Sequence, residues 1–139
     1  MKFKTSHGRI KFEIGTPLSQ ADLSGIDLKG VDCSEMSLQK ANFVGAILTG
    51  SIFDDADLTG ARFNGATLQG VYFMGTKLVG ADFSSADLSE ATFFSSDLSG
   101  ADLSKSIISN TDFKDALADK STRFPPMFHP GENGIKIKA

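Results

Sequence analysis

The sequence predicts an all-β solenoid, a fold in which short repeated units stack along one axis. A large apolar residue falls on every fifth position from residue 41 to residue 115 without a break. A small residue stands two places before most of these, and glycine is common two places after. A period of five fits neither the 3.6 residues of a helix nor the two of a strand, so the chain must turn within every unit. Such repeats are typical of solenoids, whose units bury their apolar sides against their neighbours.

Each unit is expected to be a short extended piece followed by a tight turn. Glycine at the fifth place of the unit would occupy the third position of a type II turn, where φ is positive. A different, less regular turn is expected where another residue stands at this place: Glu35, Lys40, Asp55, Ser85, Glu90, Ser95 and Lys105.

The large residues of the repeat form the predicted structural core. Each such side chain contributes about 1.5 to 3 kcal/mol on burial before chain entropy is subtracted, so the fold needs no metal, disulfide or ligand. The predicted core side chains are Phe43, Phe53, Phe63, Phe73, Phe83, Phe93, Phe113, Leu48, Leu58, Leu68, Leu78, Leu88 and Leu98.

Individual units carry a recognisable motif. Ala-Asp-Leu-Ser-Gly at residues 21–25 and Ala-Asp-Phe-Ser-Ser at residues 81–85 resemble the A(D/N)LXX motif of pentapeptide-repeat proteins, and the likeness covers residues 21–115. The resemblance implies a right-handed quadrilateral β-helix with four units per coil, here about five coils capped at both ends. Residues 20 apart would then stack on one face, and two phenylalanine ladders would meet across the core. The resemblance says little about function.

Three segments are predicted: an N-terminal β-hairpin cap at residues 1–20, the β-helix at 21–120, and a C-terminal capping segment with a tail at 121–139. In the first segment the apolar period falls to two. With His7-Gly8 as a two-residue turn, the expected pairs are Thr5 with Ile10 and Phe3 with Phe12. The hairpin would cover the unpaired strand edge of the first coil.

The repeat is expected to end after residue 115, with one helical turn at residues 116–120. Residues 122–130 resemble the T-x-F-P-x-G-F-x-P segment that closes many cyanobacterial relatives, with methionine in place of the glycine. Its prolines would keep the segment from extending the sheet, and residues 131–139 would fray. The side chains expected to lie over the last coil are Phe124, Met127 and Phe128.

Charge and composition exclude several classes of function. Residues 21–120 carry 7 Lys+Arg against 15 Asp+Glu, a net of −8, whereas both terminal segments are basic. An acidic rod repels phosphates, so direct nucleic-acid binding is not expected. The sequence has no run of 18 apolar residues and no signal-peptide core, which favours the cytoplasm and no membrane association. The single cysteine, Cys33, occupies a core position and is expected to be a small buried hydrophobe.

Catalytic and metal-binding signals are absent from the sequence. The two histidines, His7 and His129, fall in opposite terminal segments, and there is no phosphate loop or metal-spaced His/Cys cluster. The repeated aspartates are expected to accept hydrogen bonds from their own turns. We therefore expect no enzyme, no catalytic residues, no cofactor and no metal.

One face of the predicted helix differs from the others. Large apolar residues there flank the core column and would form an exposed patch, which is typical of a partner site. The predicted patch residues are Ile52, Tyr72, Met74 and Phe94, with Asp32, Asp54 and Lys114 beside them.

The sequence therefore favours a non-enzymatic β-helical scaffold or protein-interaction module, monomeric, with an unidentified protein partner. One alternative is a DNA mimic that binds or inhibits DNA gyrase, as some relatives of the resembled family do. Those relatives are longer, dimerise through a C-terminal helix and often carry projecting loops, none of which is evident here. A structural or stress-related role is the second alternative.

Overall fold

The structure, a computed structural model, describes residues 3–6, 9–12 and 15–139. Its body is built from isolated parallel bridges between residues 20 positions apart, such as Asn42 with Arg62 and Arg62 with Asp82. Backbone hydrogen bonds flank each bridge; the Phe43 N–H, for example, donates to the Arg62 carbonyl at 2.7 Å. Four five-residue units therefore make one coil, and each coil is bonded to the next.

The helix has four faces, each with one column of inward side chains. The first face follows Leu23 and the residues 20, 40, 60 and 80 positions later, and the second follows Leu28 in the same way. The third follows Cys33 and the fourth follows Leu18. All thirteen predicted core side chains are at most 2% exposed.

The phenylalanines form two ladders on opposite faces. Within a ladder the rings stack, as between Phe63 and Phe83 at 5.0 Å and between Phe53 and Phe73 at 5.5 Å. Across the core the rings meet edge to face, as between Phe63 and Phe73 at 5.8 Å. These are the two arrangements that the ring quadrupole favours, so the ladders gain energy beyond the burial of area.

The irregular turns are wrong for six of the seven residues at which they were predicted. These residues have φ between 57° and 63°, close to the 64° to 70° of the repeat glycines: Glu35, Lys40, Asp55, Ser85, Glu90 and Ser95. Coil-to-coil hydrogen bonds impose this conformation, since the Glu35 N–H donates to the Asp54 carbonyl at 2.9 Å as the glycine N–H groups do elsewhere. Lys105 alone differs, with no positive φ.

The N-terminal hairpin consists of strands β1 (Phe3–Ser6) and β2 (Arg9–Phe12). They pair antiparallel in the predicted register, with Phe3 opposite Phe12 and Thr5 opposite Ile10. The predicted turn residues 7–8 lie outside the described residues. Strand β2 also joins the helix, because Lys11 pairs in parallel with Asp32 and Phe12 is buried.

The C-terminal region departs from two predictions. The helical turn expected at residues 116–120 is wrong, because strand β3 (Leu117–Ala118) continues the fourth face, with the Leu98 N–H donating to the Leu117 carbonyl at 2.7 Å. The frayed tail is also wrong. A 3-10 helix (Gly131–Asn133) leads to strand β4 (Lys136–Ile137), which pairs in parallel with β3. The chain thus rejoins the sheet beyond the prolines that were expected to prevent it.

Of the three side chains expected over the last coil, two are there. Phe128 meets Phe113 at 5.3 Å and Phe124 at 5.1 Å. Met127 is 89% exposed, so its predicted place over the coil is wrong. It adopts φ 68° at the position where the resembled segment has glycine, which points its side chain away from the core.

Candidate partner-binding surface

The four predicted patch residues lie together on the third face and are called the apolar patch below. They form two columns of outward side chains, one on each side of the inward column. In one outward column Ile52 forms a β-bridge with Tyr72. In the other, Met74 and Phe94 are neighbours, because the N–H of Gly75, next to Met74, donates to the Phe94 carbonyl. Tyr72 and Met74 are 43% and 44% exposed, and the other two are half-buried. The two outer columns flank the buried phenylalanine ladder, so the patch has a rigid base.

A hydrogen bond fixes an acidic side chain at the edge of the patch. In nine units of the repeat an aspartate in the second position accepts the N–H two residues later, as Asp82 does from Ser84. Tyr72 offers no such acceptor. The Met74 N–H is bound instead by the Asp54 carboxylate of the preceding coil, at 2.9 Å. Asp54 is thereby held against the patch.

The environment of Asp54 raises its pKa. Burial is the largest cause, the hydrogen bond from Met74 opposes it, and the charges of Asp55 and Asp32 raise the pKa further. Most other shifted aspartates have a lowered pKa; for Asp102 the largest cause is the hydrogen bond from Ser104. Burial of Asp54 therefore outweighs its hydrogen bond, whereas the turn aspartates accept enough hydrogen bonds to lower their pKa.

The sequence analysis missed three exposed apolar side chains on other faces. Ile47 and Ile107 lie on the second face at 37% and 54% exposure, and Val79 lies on the fourth at 37%. None of the three lies in a paired cluster like that of Tyr72 and Met74. Each occupies the second or fourth place of its unit, beside the inward third place, so the repeat pattern was sufficient to predict that these side chains point outward.

The described residues contain no group of three or more His, Cys, Asp or Glu side chains arranged to hold a metal ion. They also contain no helix long and apolar enough to cross a membrane. One open pocket lies at the N-terminal end, lined by Lys11, Phe12 and residues 15–19 and 34–37. Cys33 is buried, and burial raises the pKa of its thiol to about 12.

Fold and surface together define a β-helical repeat protein. A family model described as "Pentapeptide repeat region" matches residues 46–122, and one described as "Pentapeptide repeats (8 copies)" matches residues 18–55. These matches cover more than half of the sequence. The chain belongs to the pentapeptide-repeat family.

Solved structures agree with this assignment. A pentapeptide repeat protein from the Arabidopsis thaliana thylakoid lumen is 32% identical over 68% of this chain and 66% of its own, with a TM-score of 0.66. HetL from Nostoc sp. strain PCC 7120, involved in heterocyst differentiation regulation, is 30% identical over 81% of this chain and 48% of its own, with a TM-score of 0.62. Rfr23 from Cyanothece 51142 shares the fold at 21% identity over 74% of this chain and 90% of its own, with a TM-score of 0.54.

These neighbours give the fold as a right-handed quadrilateral β-helix. The chain spans 66% and 48% of the length of the first two. No curated protein matches the sequence.

Proposed function

We propose that this β-helix is a non-enzymatic protein-interaction module that binds its partner through the apolar patch. The observation that carries the proposal is the exposure of Tyr72 and Met74 side by side on a rigid face. Repeat proteins of this family are generally structural or interaction modules rather than enzymes. Interfaces favour aromatic residues and methionine, and a tyrosine buries much area at low conformational-entropy cost because it has only two χ angles.

The rigid base of the patch supports the same proposal. Phe53, Phe73 and Phe93 lie fully buried beneath it and stack at 5.0 to 5.5 Å. A partner would therefore meet a backbone that needs no ordering on binding, which lowers the entropic cost of association.

A crosslinking capture from the native host lysate tests the proposal. Wild type and Tyr72→Ser/Phe94→Ser are compared, with Ile47→Ser/Ile107→Ser as the matched control because it removes exposed apolar groups from the second face. We expect one protein to be captured by wild type and by the control and lost from the patch variant. Capture that is equal in all three chains would contradict the proposal.

Circular-dichroism melting checks that the variants are folded. The patch side chains point outward, so the midpoint is expected to fall by only a few degrees. A loss comparable with that of a core substitution would show that these side chains support the fold instead.

Assays on the same purified protein test the two other functions, gyrase binding and a structural or stress-related role. A gyrase binder is expected to inhibit DNA supercoiling at micromolar protein and to be indifferent to the Tyr72→Ser/Phe94→Ser change, because a DNA mimic acts through its acidic faces. A purely structural or stress-related protein would show neither inhibition nor specific capture.

We also propose that the two terminal segments cap the helix ends, with the body monomeric and cytoplasmic. Four ion pairs support the capping: Lys11 with Asp32, Arg123 with Asp102, Lys136 with Asp115, and Lys138 with Asp97, at 3.3 to 4.0 Å. Each joins a basic end to the acidic body. Deletion of residues 125–139 is expected to promote association in sedimentation experiments, because it exposes the strand edge and Phe113.

A further inference from the structure

The charges beside the apolar patch indicate the chemistry of its partner, an inference that rests on the proposed interaction function. The third face is strongly acidic on the N-terminal side of the patch, where Glu35, Asp54 and Asp55 lie within two coils. None of these three carboxylates has an ion-pair partner within 4.0 Å among residues 3–6, 9–12 and 15–139.

The acidic group and the patch are contiguous. Asp54 lies one coil before Met74 and binds its backbone N–H at 2.9 Å. The Asp55 side chain reaches Gly75, the residue after Met74, so closely that a Cβ added there would overlap its carboxylate oxygen. With a spacing of about 4.8 Å between coils, the surface from Glu35 to Phe94 is about 14 Å long and runs parallel to the helix axis.

Like-charge crowding makes this group a favourable place for a cation. The pKa of Asp54 is raised by burial and by its neighbours Asp55 and Asp32. A cation brought against the three unpaired carboxylates removes part of that repulsion. An acidic partner segment would meet repulsion at the same place.

We propose that the third face binds a basic, apolar peptide segment of a partner protein. Large apolar side chains of the segment cover Tyr72, Met74 and Phe94. An arginine or lysine of the segment, one coil or about 5 Å along the axis from Tyr72 and Met74 and two coils or about 10 Å from Phe94, pairs with Asp54 and Asp55. The apolar contact supplies most of the affinity, and the charges select the partner and its direction along the face.

The probe that tests this is a displayed library of random peptides of about 12 residues, long enough to cover the face in an extended or a helical form. It is selected on the full chain and counter-selected on Tyr72→Ser/Phe94→Ser. We expect the enriched peptides to combine large apolar residues with arginine or lysine. Enrichment of neutral or acidic peptides, or no enrichment above the counter-selected background, overturns the inference.

Binding affinity is then measured from the intrinsic fluorescence of the protein. Tyr72 is the single tyrosine and the chain has no tryptophan, so its intrinsic fluorescence reports only on the patch. An enriched peptide, synthesised without tyrosine or tryptophan, is expected to give a saturable change in this signal. Binding is expected to weaken as salt rises from about 0.05 M to about 0.5 M, because the charges are near the surface. Salt-independent binding would contradict the charge pairing.

Two matched double variants isolate the acidic group. Asp54→Asn/Asp55→Asn keeps an oxygen to accept the Met74 N–H, and asparagine tolerates the φ of 58° at residue 55. It is expected to weaken the basic peptide about three- to tenfold. Glu90→Gln/Glu132→Gln removes the same charge at exposed sites elsewhere and is expected to change nothing. Equal affinities in the two variants overturn the inference.

The two proposals fail in different ways. If the patch variant loses its lysate partner but the selected peptides show no basic preference, the interaction function stands and the partner chemistry is wrong. If the patch variant loses neither the lysate partner nor the peptides, both proposals are wrong.

Discussion

Replacement of Phe73 by alanine is expected to cost about 5 kcal/mol of unfolding free energy, at the upper end of the range for buried phenylalanines. Phe73 is fully buried. Its ring stacks on Phe53 at 5.5 Å and on Phe93 at 5.0 Å, and it meets Phe63 and Phe83 edge to face, each at 5.8 Å. Each ring pair adds about 0.5 to 1.5 kcal/mol beyond burial of area.

Urea denaturation followed by circular dichroism measures this loss. A domain of this size unfolds with about 5 to 15 kcal/mol, so Phe73→Ala removes at least a third of it. Phe73→Leu keeps most of the buried volume but removes all four ring pairs, so it is expected to cost about 2 to 3 kcal/mol, which gives a readable value even if the alanine variant fails to fold. An alanine loss below about 2 kcal/mol would refute the role assigned to the buried ring, and a leucine loss below about 1 kcal/mol would refute a contribution of ring stacking beyond burial.

Three further changes are expected to alter stability in opposite directions. Glu90→Gly is expected to stabilise the chain by about 0.5 to 1 kcal/mol in urea titrations, because Glu90 is exposed at φ 61° and glycine avoids the left-handed strain; a loss would refute that strain. Gly75→Ala is expected to cost more in the same titrations than Gly65→Ala, since both glycines have positive φ but only Gly75 faces the Asp55 carboxylate; equal costs would contradict the close approach. The pKa of Asp87 is lowered, mainly by a hydrogen bond from a serine hydroxyl two residues later. The ionised Asp87 carboxylate therefore stabilises the fold above about pH 3.9, and this stabilisation is lost as the pH falls through the folded-state pKa. Asp87→Asn is expected to flatten the fall in the melting midpoint at acid pH, and an unchanged acid profile would contradict this.

The main body could be predicted from the sequence because its physics is local and repeated. Every unit places one small and one large apolar residue inward, and a period of five leaves one consistent way to do so. The same register places Tyr72 and Phe94 on one face.

At the turns, hydrogen bonding between coils outweighs the conformational preference of single residues. Lysine and glutamate rarely adopt positive φ, and each pays about 1 to 2 kcal/mol to do so. Lys40 and Glu90 adopt it nonetheless, because their N–H groups donate to the next coil at 2.8 and 2.9 Å. Cooperative pairing along the helix outweighs the preference of one residue.

The C-terminal region could not be predicted for a related reason. Ala-Leu-Ala at residues 116–118 favours a helix when taken alone, but it lies against the open edge of the fourth face. An unpaired strand edge offers hydrogen bonds that a single helical turn cannot match, so the segment extended the sheet. Lys136 and Lys138 return here by donating backbone N–H groups to the carbonyls of residues 116 and 118, and their side chains pair with Asp115 and Asp97, which are distant in sequence.

The repeat, the core and the composition of each face follow from residue type at fixed spacing, so they can be derived from the sequence alone. The turns without glycine, the ends of the helix and the position of Asp54 against Met74 depend on contacts that exist only in the folded chain. Those features arise between coils, where a residue meets a neighbour 20 positions away whose hydrogen-bonding groups must be satisfied.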